Sequence, residues 1–207
     1  MHIEYFYATH SAFAYLGSAR LIEIAAKHGR TIQHRPVLLR PLLESIKTQP
    51  FSTRTPEQMA YFFGREIERW SEIRGAPTMG YVPKTHSSPL ELSSGLVIAA
   101  LRAGHNVDAL AHAMLARHWQ EDADLGDRDT LAQIVTSVGL DPALLDEALS
   151  DDVQTVLRKN TEEAAQRSVF GSPTYFVDGD MFYGQDRLEL VDRALSEPFA
   201  PPSWRRD

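Results

Sequence analysis

The sequence has no cysteine in its 207 residues, and that absence excludes three kinds of chemistry. Structural disulfides, thiolate metal sites and disulfide exchange by the protein's own side chains all require cysteine. Long apolar runs are also missing. The longest covers residues 96–101 and is far too short to cross a bilayer, so no membrane-spanning helix is expected. The N-terminus has no apolar segment typical of a signal peptide, which favours a cytoplasmic location.

Clusters of positive charge are lacking as well. The formal net charge is −7 and the arginines are scattered, so a nucleic-acid partner is not expected. The histidines do not have the spacing of a metal site either. His112 and His118 are six residues apart on a predicted helix, which puts them on different faces, and no H-E-x-x-H motif occurs. We therefore expect no metal.

Two β-rich segments lie at opposite ends of the chain. Residues 3–37 have the pattern of a strand, a helix over about residues 13–28 and a second strand, which implies a parallel β-α-β unit. Near the C-terminus, a strand that begins at Thr174 reaches Asp178-Gly179, a two-residue sequence typical of a β-hairpin. Because a lone hairpin is only marginally stable in water, both segments should belong to one sheet.

The region between these segments has only helical patterns. The order of a strand, a helix-opening loop and a distant X-Pro that enters a hairpin outlines a thioredoxin-type fold. The sequence therefore predicts an α/β protein with a thioredoxin-like fold and a large all-helical insertion. Residues 1–40 and 168–207 would form the thioredoxin-like domain, and residues 41–167 the inserted helical domain.

One helix of the insertion has a clear start signal. Thr55, Pro56 and Gln58 have the arrangement of a capping box with proline at the first helical position. The apolar side chains expected on one face of this helix are Met59, Phe62, Phe63, Ile67, Trp70 and Ile73.

Ser11 lies where the first strand ends and the helix begins. Redox proteins of the thioredoxin type carry a Cys-x-x-Cys motif in this place, whereas this chain has Ser11-Ala12-Phe13-Ala14. Free N–H groups and the helix dipole make the position an anion site, where a hydroxyl can donate to a thiolate or an oxyanion. Serine is also a common N-cap, and the two roles can coexist. His10 does not suggest a serine hydrolase, because adjacent side chains rarely face each other in such a turn and no G-x-S-x-G motif is present.

Ser172-Pro173 is the second candidate element. A cis bond is predicted here, because in a thioredoxin-type fold this proline faces the helix-opening loop. The backbone N–H and C=O of Ser172 would then be free to pair with an extended peptide. The alternative is a proline that simply starts an edge strand. Asp186, which precedes the last helix, could cap that helix or accept a ligand's ammonium group.

Several segments together resemble one family, the 2-hydroxychromene-2-carboxylate isomerases. These enzymes are glutathione-dependent relatives of the kappa-class glutathione transferases and, more distantly, of the periplasmic disulfide oxidoreductases. The strongest match is S-V-F-G-S-P-T-Y-F-V-D-G-D-M-F-Y-G-Q-D-R-L at residues 168–188. Weaker matches are Ser11 with Tyr15-Leu16, H-R-P-V-L-L at residues 34–39, Arg69-Trp70, and H-W-Q-E-D at residues 118–122.

The resemblance implies glutathione as the cofactor and a small aromatic molecule as the substrate. Ser11 matches the family's catalytic serine, whose hydroxyl contacts the glutathione sulfur. Ser172, before the cis Pro173, matches the residue whose backbone holds the cysteinyl part. Gln185 and Asp186 match the polar pair that binds the γ-glutamyl end. A homodimer is possible.

The chain also departs from the family's pattern. Ala8 and Thr9 replace an aspartate-phenylalanine pair, and Ala12 replaces a proline. Around Glu44 and Thr48, relatives tend to carry a lysine and an asparagine that line the substrate pocket.

The sequence is therefore consistent with three functions. The first is a glutathione-dependent isomerase that interconverts 2-hydroxychromene-2-carboxylate and trans-o-hydroxybenzylidenepyruvate in aromatic-compound degradation. The second is a kappa-like transferase that conjugates glutathione to electrophiles. The third is a non-catalytic thioredoxin-fold protein that binds thiols or peptides, which the changes at Ala8, Ala12 and Glu44 favour.

Overall fold

The computed structural model describes residues 2–47, 53–201 and 203, and its centre is one mixed sheet of four strands. The strand order is β2-β1-β3-β4; β1 and β2 are parallel, and β3 is antiparallel to both of its neighbours. The prediction that both β-rich segments share a sheet is confirmed. The strands are β1 (His2–Tyr7), β2 (Thr31–Pro36), β3 (Thr174–Val177) and β4 (Asp180–Tyr183).

Helices account for the regular structure between β2 and β3, and no described residue from 37 to 173 lies in a strand. A π-helical turn at Ala60–Arg65 lies between two of the α-helices, and a 3-10 turn at Gln185–Arg187 precedes the last one. The α-helices are α1 (Ala12–Lys27), α2 (Leu39–Ser45), α3 (Pro56–Met59), α4 (Glu66–Arg74), α5 (Glu91–Arg102), α6 (Asp108–Glu121), α7 (Arg128–Ser137), α8 (Leu144–Glu147), α9 (Asp151–Gln166) and α10 (Leu188–Ser196).

The β1-α1-β2 unit follows from local rules in the sequence. β1 is a central strand, so its aromatic side chains are buried; the Tyr5 ring stacks on Tyr7 at 4.1 Å and on Tyr175 at 5.4 Å between ring centroids. Helix α1 starts one residue earlier than predicted, and Gly29 follows it with a φ of 59° that glycine adopts easily.

The hairpin between β3 and β4 has the predicted turn. Asp178 and Gly179 have φ angles of 50° and 91°, and they are the two residues between the strands. Positive φ at both central positions is the geometry of a type I′ turn, which matches the twist of the flanking strands. The turn fixes the register in which Thr174 pairs with Tyr183, and so it places residues 184–187 beside the start of β3.

Two hydrophobic cores meet at helix α6. One core lies under the sheet and α1 and includes Ala111, Leu115 and Trp119 of α6. The other lies among α5, α7 and α8 and includes Leu110 and Met114 of the same helix. The helical region is thus packed onto the sheet through a shared helix, while the predicted domain boundaries stay a prediction.

The predicted apolar face after Thr55 is wrong at its far end. The capping box of Thr55 and Gln58 is present, and Ile67 is buried, but Ile73 is 67% exposed. The π-helical turn at Ala60–Arg65 adds backbone to each turn and shifts the helical phase, so positions spaced for a regular α-helix no longer share one face.

None of the described helices is both long enough and apolar enough to cross a bilayer.

The close approach of α5 to α8 requires glycine at position 95. A Cβ atom there would overlap the backbone carbonyl oxygen of Ala148, which cannot rotate away as a side chain can. We therefore expect Gly95→Ala to lower the free energy of unfolding by about 1–3 kcal/mol, measured by urea unfolding.

Gly64 provides the matched control, because a Cβ at that helical position meets no atom within 4 Å. Gly64→Ala should leave stability unchanged or raise it by about 0.5–1 kcal/mol. An equal effect of the two substitutions would contradict the packing assigned to Gly95.

Candidate functional site

Ser11 occupies the N-cap of α1 at the end of the sheet. Its Oγ accepts a hydrogen bond from the N–H of Ala14 at 3.3 Å, and its own N–H donates to the carbonyl oxygen of Ala8 at 3.0 Å. The side chain is 8% exposed, and no acidic residue lies in the first turn of α1. The positive end of the helix dipole is therefore not neutralised by its own first turn.

The Ser172-Pro173 bond is cis, as predicted, and lies against the α1 N-terminus. The Ser11 hydroxyl donates to the carbonyl oxygen of Ser172 at 3.2 Å. In the other direction, the N–H of Ala8 donates to Oγ of Ser172 at 3.0 Å. These two hydrogen bonds join segments from opposite ends of the chain, and they bring together Ser11, Ser172 and Pro173 as expected.

Of the two backbone groups of Ser172 that were expected to be unpaired, only the N–H group is unpaired in the described part of the chain. Its carbonyl oxygen already accepts the Ser11 hydroxyl, so a peptide would have to compete for it. Its N–H group finds no acceptor among the described residues. That N–H is the group that an extended ligand could use without displacing an internal hydrogen bond.

Gln185 and Asp186 differ in what they can offer to a ligand. Gln185 is 1% exposed, and its Oε1 accepts from Nε of Arg74 at 3.1 Å. Arg74 also donates to the Gln185 carbonyl oxygen at 3.1 Å and pairs with Glu189 at 3.0 Å. The Asp186 side chain is 38% exposed and lies 2.7 Å from the guanidinium of Arg187. Asp186 is thus available to a ligand, whereas the side chain of Gln185 is committed to Arg74.

Arg74 is a residue that the sequence reasoning missed. It ends α4 just before Gly75, a position where a basic residue is common for helix stability alone. Nothing local indicates that it reaches across to the 3-10 turn at Gln185–Arg187. A further bond, from the N–H of Gly184 to the carbonyl oxygen of Pro173 at 2.9 Å, ties the same turn to the cis-proline.

The departures from the family's pattern are accommodated by small buried side chains. Ala8 and Ala12 are buried, and Oγ1 of Thr9 is hydrogen-bonded to Oγ of Ser93 on α5 at 2.8 Å. Glu44 lies on α2 and is exposed, and Thr48 lies outside the described residues. The loop before Ser11 is thus anchored to the insertion by a neutral hydroxyl pair.

Two aromatic pairs flank Ser11 and Ser172. Phe13, in the first turn of α1, contacts Phe62 with ring centroids 5.0 Å apart. Phe170, two residues before Ser172, packs on Tyr183 at 4.5 Å, and both are partly exposed. The Arg54 guanidinium lies over the Phe62 ring at 4.7 Å. We call Phe13, Phe62, Phe170 and Tyr183 together the aromatic rim, since such rings can contact a flat apolar ligand.

Three imidazoles are packed together directly before Ser11. The His10 ring stacks on His86 with centroids 4.4 Å apart, and Nδ1 of His86 is 3.0 Å from Nε2 of His118. Nδ1 of His118 is 2.9 Å from the carbonyl oxygen of Ala123. Trp119 donates from its indole to the carbonyl oxygen of His10 at 2.9 Å and so fixes the backbone of that residue.

The sequence did not indicate this histidine cluster. His118 is buried, and both of its ring nitrogens are in hydrogen bonds. The contact of His10 with His86 was missed, because nothing near either residue indicates that the two loops meet. Among the described residues, no group of three or more potential ligands could hold a metal ion.

Burial keeps the cluster uncharged near neutral pH. It lowers the pKa of His10 to about 3, with smaller contributions from the neighbouring imidazoles and from Arg40. It also lowers the pKa of His86 to about 4, aided by His118. The pKa of His118 is lowered by burial as well, against the opposing effect of the Ala123 carbonyl group.

These shifts predict a loss of stability in mild acid. The pKa values of His10 and His86 in the folded protein lie below the value of about 6.5 expected after unfolding, so the unfolded chain binds more protons. Stability is therefore complete above about pH 6.5 and is lost as the pH falls toward 4. Between pH 7.5 and 5.0 each of the two histidines lowers the free energy of unfolding by about 2 kcal/mol, so we expect a total drop of about 4 kcal/mol, measured by urea unfolding at each pH.

The double substitution His10→Gln with His86→Asn should flatten this pH dependence. His105, which is exposed on the loop before α6, is the matched control, and His105→Gln should leave the dependence as it is. A wild-type curve that is flat from pH 7.5 to 5.0 would contradict the neutral state assigned to the cluster.

Comparison with known proteins agrees with this architecture. The 2-hydroxychromene-2-carboxylate isomerase of Sphingobium xenophagum is 28% identical over 195 residues, which cover 93% of this chain and 97% of that protein. Glutathione S-transferase kappa 2 of Caenorhabditis elegans is 22% identical over 216 residues, covering 97% and 94% of the two chains. A solved structure of a 2-hydroxychromene-2-carboxylate isomerase superposes with a TM-score of 0.76 at 23% identity, covering 95% of each chain.

The superposition confirms the predicted thioredoxin-like fold. Residues 2–196 match the family model of the DSBA-like thioredoxin domain, which is nearly the whole chain. This protein therefore belongs to the DSBA-like thioredoxin domain family, and its curated relatives include enzymes named as 2-hydroxychromene-2-carboxylate isomerases and a kappa-class glutathione transferase.

Proposed function

We propose that this protein is a glutathione-dependent isomerase that interconverts 2-hydroxychromene-2-carboxylate and trans-o-hydroxybenzylidenepyruvate. The observation that carries the proposal is the hydroxyl of Ser11 at an acid-free helix N-terminus, 3.2 Å from the carbonyl oxygen that precedes the cis-proline. Relatives named as this isomerase, aligned over almost the full length of the chain, support the assignment.

The residues around Ser11 fit a thiol-containing tripeptide. The N–H of Ser172 has no acceptor among the described residues, and a backbone carbonyl of an extended ligand would satisfy it. Asp186 offers an exposed carboxylate for an ammonium group, as glutathione carries at its γ-glutamyl end. Arg74 and the buried Gln185 would hold the turn that presents Asp186.

Glutathione, when bound, supplies the thiolate nucleophile that a chain without cysteine lacks. A free thiol has a pKa of about 8.5, so little thiolate is present at neutral pH. The Ser11 hydroxyl can turn from the Ser172 carbonyl to donate to a sulfur anion, while its oxygen keeps the N–H of Ala14. This hydrogen bond and the helix N-terminus both favour the ionised form, as they do for reactive cysteines.

The aromatic rim would hold the substrate. Phe13 is two residues after Ser11 and contacts Phe62, and Phe170 is two residues before Ser172 and contacts Tyr183, so a flat bicyclic ring bound beside Ser11 would meet aromatic faces. The Arg54 guanidinium over Phe62 would provide positive charge for the substrate carboxylate.

A kappa-like transferase is the second candidate, because one relative is named as such. The same thiol contacts would serve both reactions, and only the fate of the glutathione adduct differs. An isomerase releases glutathione unchanged, whereas a transferase releases a conjugate. The decisive assay incubates the purified protein and glutathione with the chromene and, in parallel, with 1-chloro-2,4-dinitrobenzene. Absorbance changes only with the second compound would favour the transferase, and no change with either would favour a non-catalytic binding protein.

Substitution of Ser11 should affect turnover more than binding. Ser11→Ala removes one charge-assisted hydrogen bond to sulfur, worth about 1.5–3 kcal/mol, so kcat should fall about 10- to 150-fold. Glutathione affinity, measured by calorimetry, should change little because the backbone and γ-glutamyl contacts remain.

Ser150 is the matched control for the helix-capping role of Ser11. It caps α9, a helix of the same 16-residue length, and accepts the N–H of Val153 at 3.4 Å. Ser150→Ala should cost a similar amount of stability without loss of turnover. Equal turnover of Ser11→Ala and Ser150→Ala would reduce Ser11 to a helix cap.

Asp186 should contribute to affinity instead. If its carboxylate accepts a charged hydrogen bond, Asp186→Ala should weaken glutathione binding by about 1.5–3 kcal/mol in calorimetry. Asp180→Ala, on the exposed start of β4, controls for the loss of a negative charge in the same hairpin. Identical affinities of the Asp186→Ala variant and the wild type would leave Asp186 with a structural role only.

A further inference from the structure

The protons of the histidine cluster can be placed from its hydrogen bonds. A backbone carbonyl only accepts, so Nδ1 of His118 must carry a proton toward Ala123. In a neutral ring the other nitrogen, Nε2, is then bare and accepts from Nδ1–H of His86. His86 thus donates from Nδ1–H to His118, and its own Nε2 carries no proton and can only accept.

His10 must hold its proton on the opposite side of the ring. Its Nδ1 is buried and has no partner among the described residues. A buried N–H without an acceptor is costly, so the proton belongs on Nε2, which is not among the buried side-chain atoms that lack a partner. The stack on His86 and the Trp119 bond to the main chain keep this ring in place.

We infer that His10 is a catalytic residue that donates a hydrogen bond from Nε2–H, as a neutral imidazole, to the oxygen of the substrate on which negative charge develops. His86 and His118 are positioning residues that orient His10 and keep its ring uncharged. The inference rests on the proposed isomerase function and assigns a role to residues that the family's glutathione contacts do not include.

The location of His10 suits this task. It immediately precedes Ser11, so the two residues share one loop. Their side chains need not face each other, because Ser11 would donate to the thiolate sulfur and His10 to the substrate oxygen. Arg40 faces His10 from α2, and the imidazoles of His86 and His118 face it from the loop before α5 and from α6. Asp122 and Asp124 lie beyond, near His118. No carboxylate acts directly on His10, and the surrounding groups disfavour a positive charge on its ring.

A neutral imidazole with a strongly lowered pKa is a hydrogen-bond donor rather than a base. The protein keeps the proton on the ring throughout, as in enzymes where a helix N-terminus keeps a histidine uncharged. When the ring C–O bond of the chromene breaks, its electron pair stays on the oxygen, and His10 donates to that oxygen. As the ketone forms, the 2-hydroxyl group loses its proton, and the oxygen released from the ring gains that proton. The ring opening therefore has no net uptake or release of protons.

Two substitutions separate donation from packing. His10→Phe keeps an aromatic ring against His86 but has no donor, and kcat should fall about 100-fold with glutathione affinity unchanged. His10→Gln keeps a neutral N–H donor and should recover at least one tenth of the wild-type kcat. His105→Gln, on the exposed loop before α6, should behave like the wild type. Full turnover by His10→Phe would overturn the inference.

A pH profile and spectroscopy add readouts that packing alone does not move. In the wild type, kcat should show no histidine titration from pH 5 to 8. Removing the stack with His86→Ala should raise the pKa of His10 and introduce an acid limb within that range. Nitrogen-15 NMR of histidine-labelled protein, assigned by the spectrum of His10→Gln, should give His10 as the neutral Nε2–H form over the same range.

The NMR experiment also separates this inference from the proposed function. Addition of trans-cinnamate, an aromatic carboxylate, should shift the Nε2–H resonance of His10 and leave that of His105 in place. If the wild type does not isomerise the chromene, the proposed reaction fails, yet a cinnamate-dependent shift would still support His10 as an oxygen-anion donor. An Nδ1–H tautomer, a titration between pH 5 and 8, or no shift would overturn it.

Discussion

The paired hydrogen bonds between the loop before α1 and Ser172 are the contact on which the site depends. Ser11 donates to the carbonyl oxygen of Ser172, and Ala8 donates to its hydroxyl, so each segment satisfies a polar group of the other. Because the two segments come from opposite ends of the chain, their meeting requires the complete sheet. The helix N-terminus and the cis-proline are held against each other by this one junction.

The parts that were predictable from sequence are those governed by local rules. The Asp178-Gly179 turn, the capping box at Thr55 and the cap at Ser11 depend on residues a few positions apart, so the sequence alone predicts each of them. The histidine cluster and the Arg74 contact with Gln185 depend on long-range packing instead. No pattern among neighbouring residues in the sequence indicates such contacts. The exposed Ile73 is a different case, because a π-helical turn broke the period on which the prediction relied.

The groups next to Ser11 in the chain carry no charge. The first turn of α1 has no acidic residue, Thr9 and Ser93 form a neutral pair, and burial keeps the adjacent histidines uncharged. An anion that arrives there meets dipoles and hydrogen-bond donors, and it need not displace a resident carboxylate. Such a site stabilises charge brought by a ligand rather than charge of its own. Under the proposed function, the absence of cysteine fits the same arrangement, because the thiolate would come from bound glutathione.

Helix α6 has side chains in both hydrophobic cores, and Trp119 near its end binds the main chain of His10. A helix anchored in this way cannot serve as a hinge, because any rotation would open two cores at once. Under the proposed function, access to the Ser11 site would therefore depend on local movements of side chains such as Phe170 and Tyr183. Partly exposed rings of this kind reorient within picoseconds to nanoseconds, at least roughly a thousandfold faster than domains open. Gating by side chains gives fast exchange with solvent, but it places the shape of the entrance under the control of very few residues.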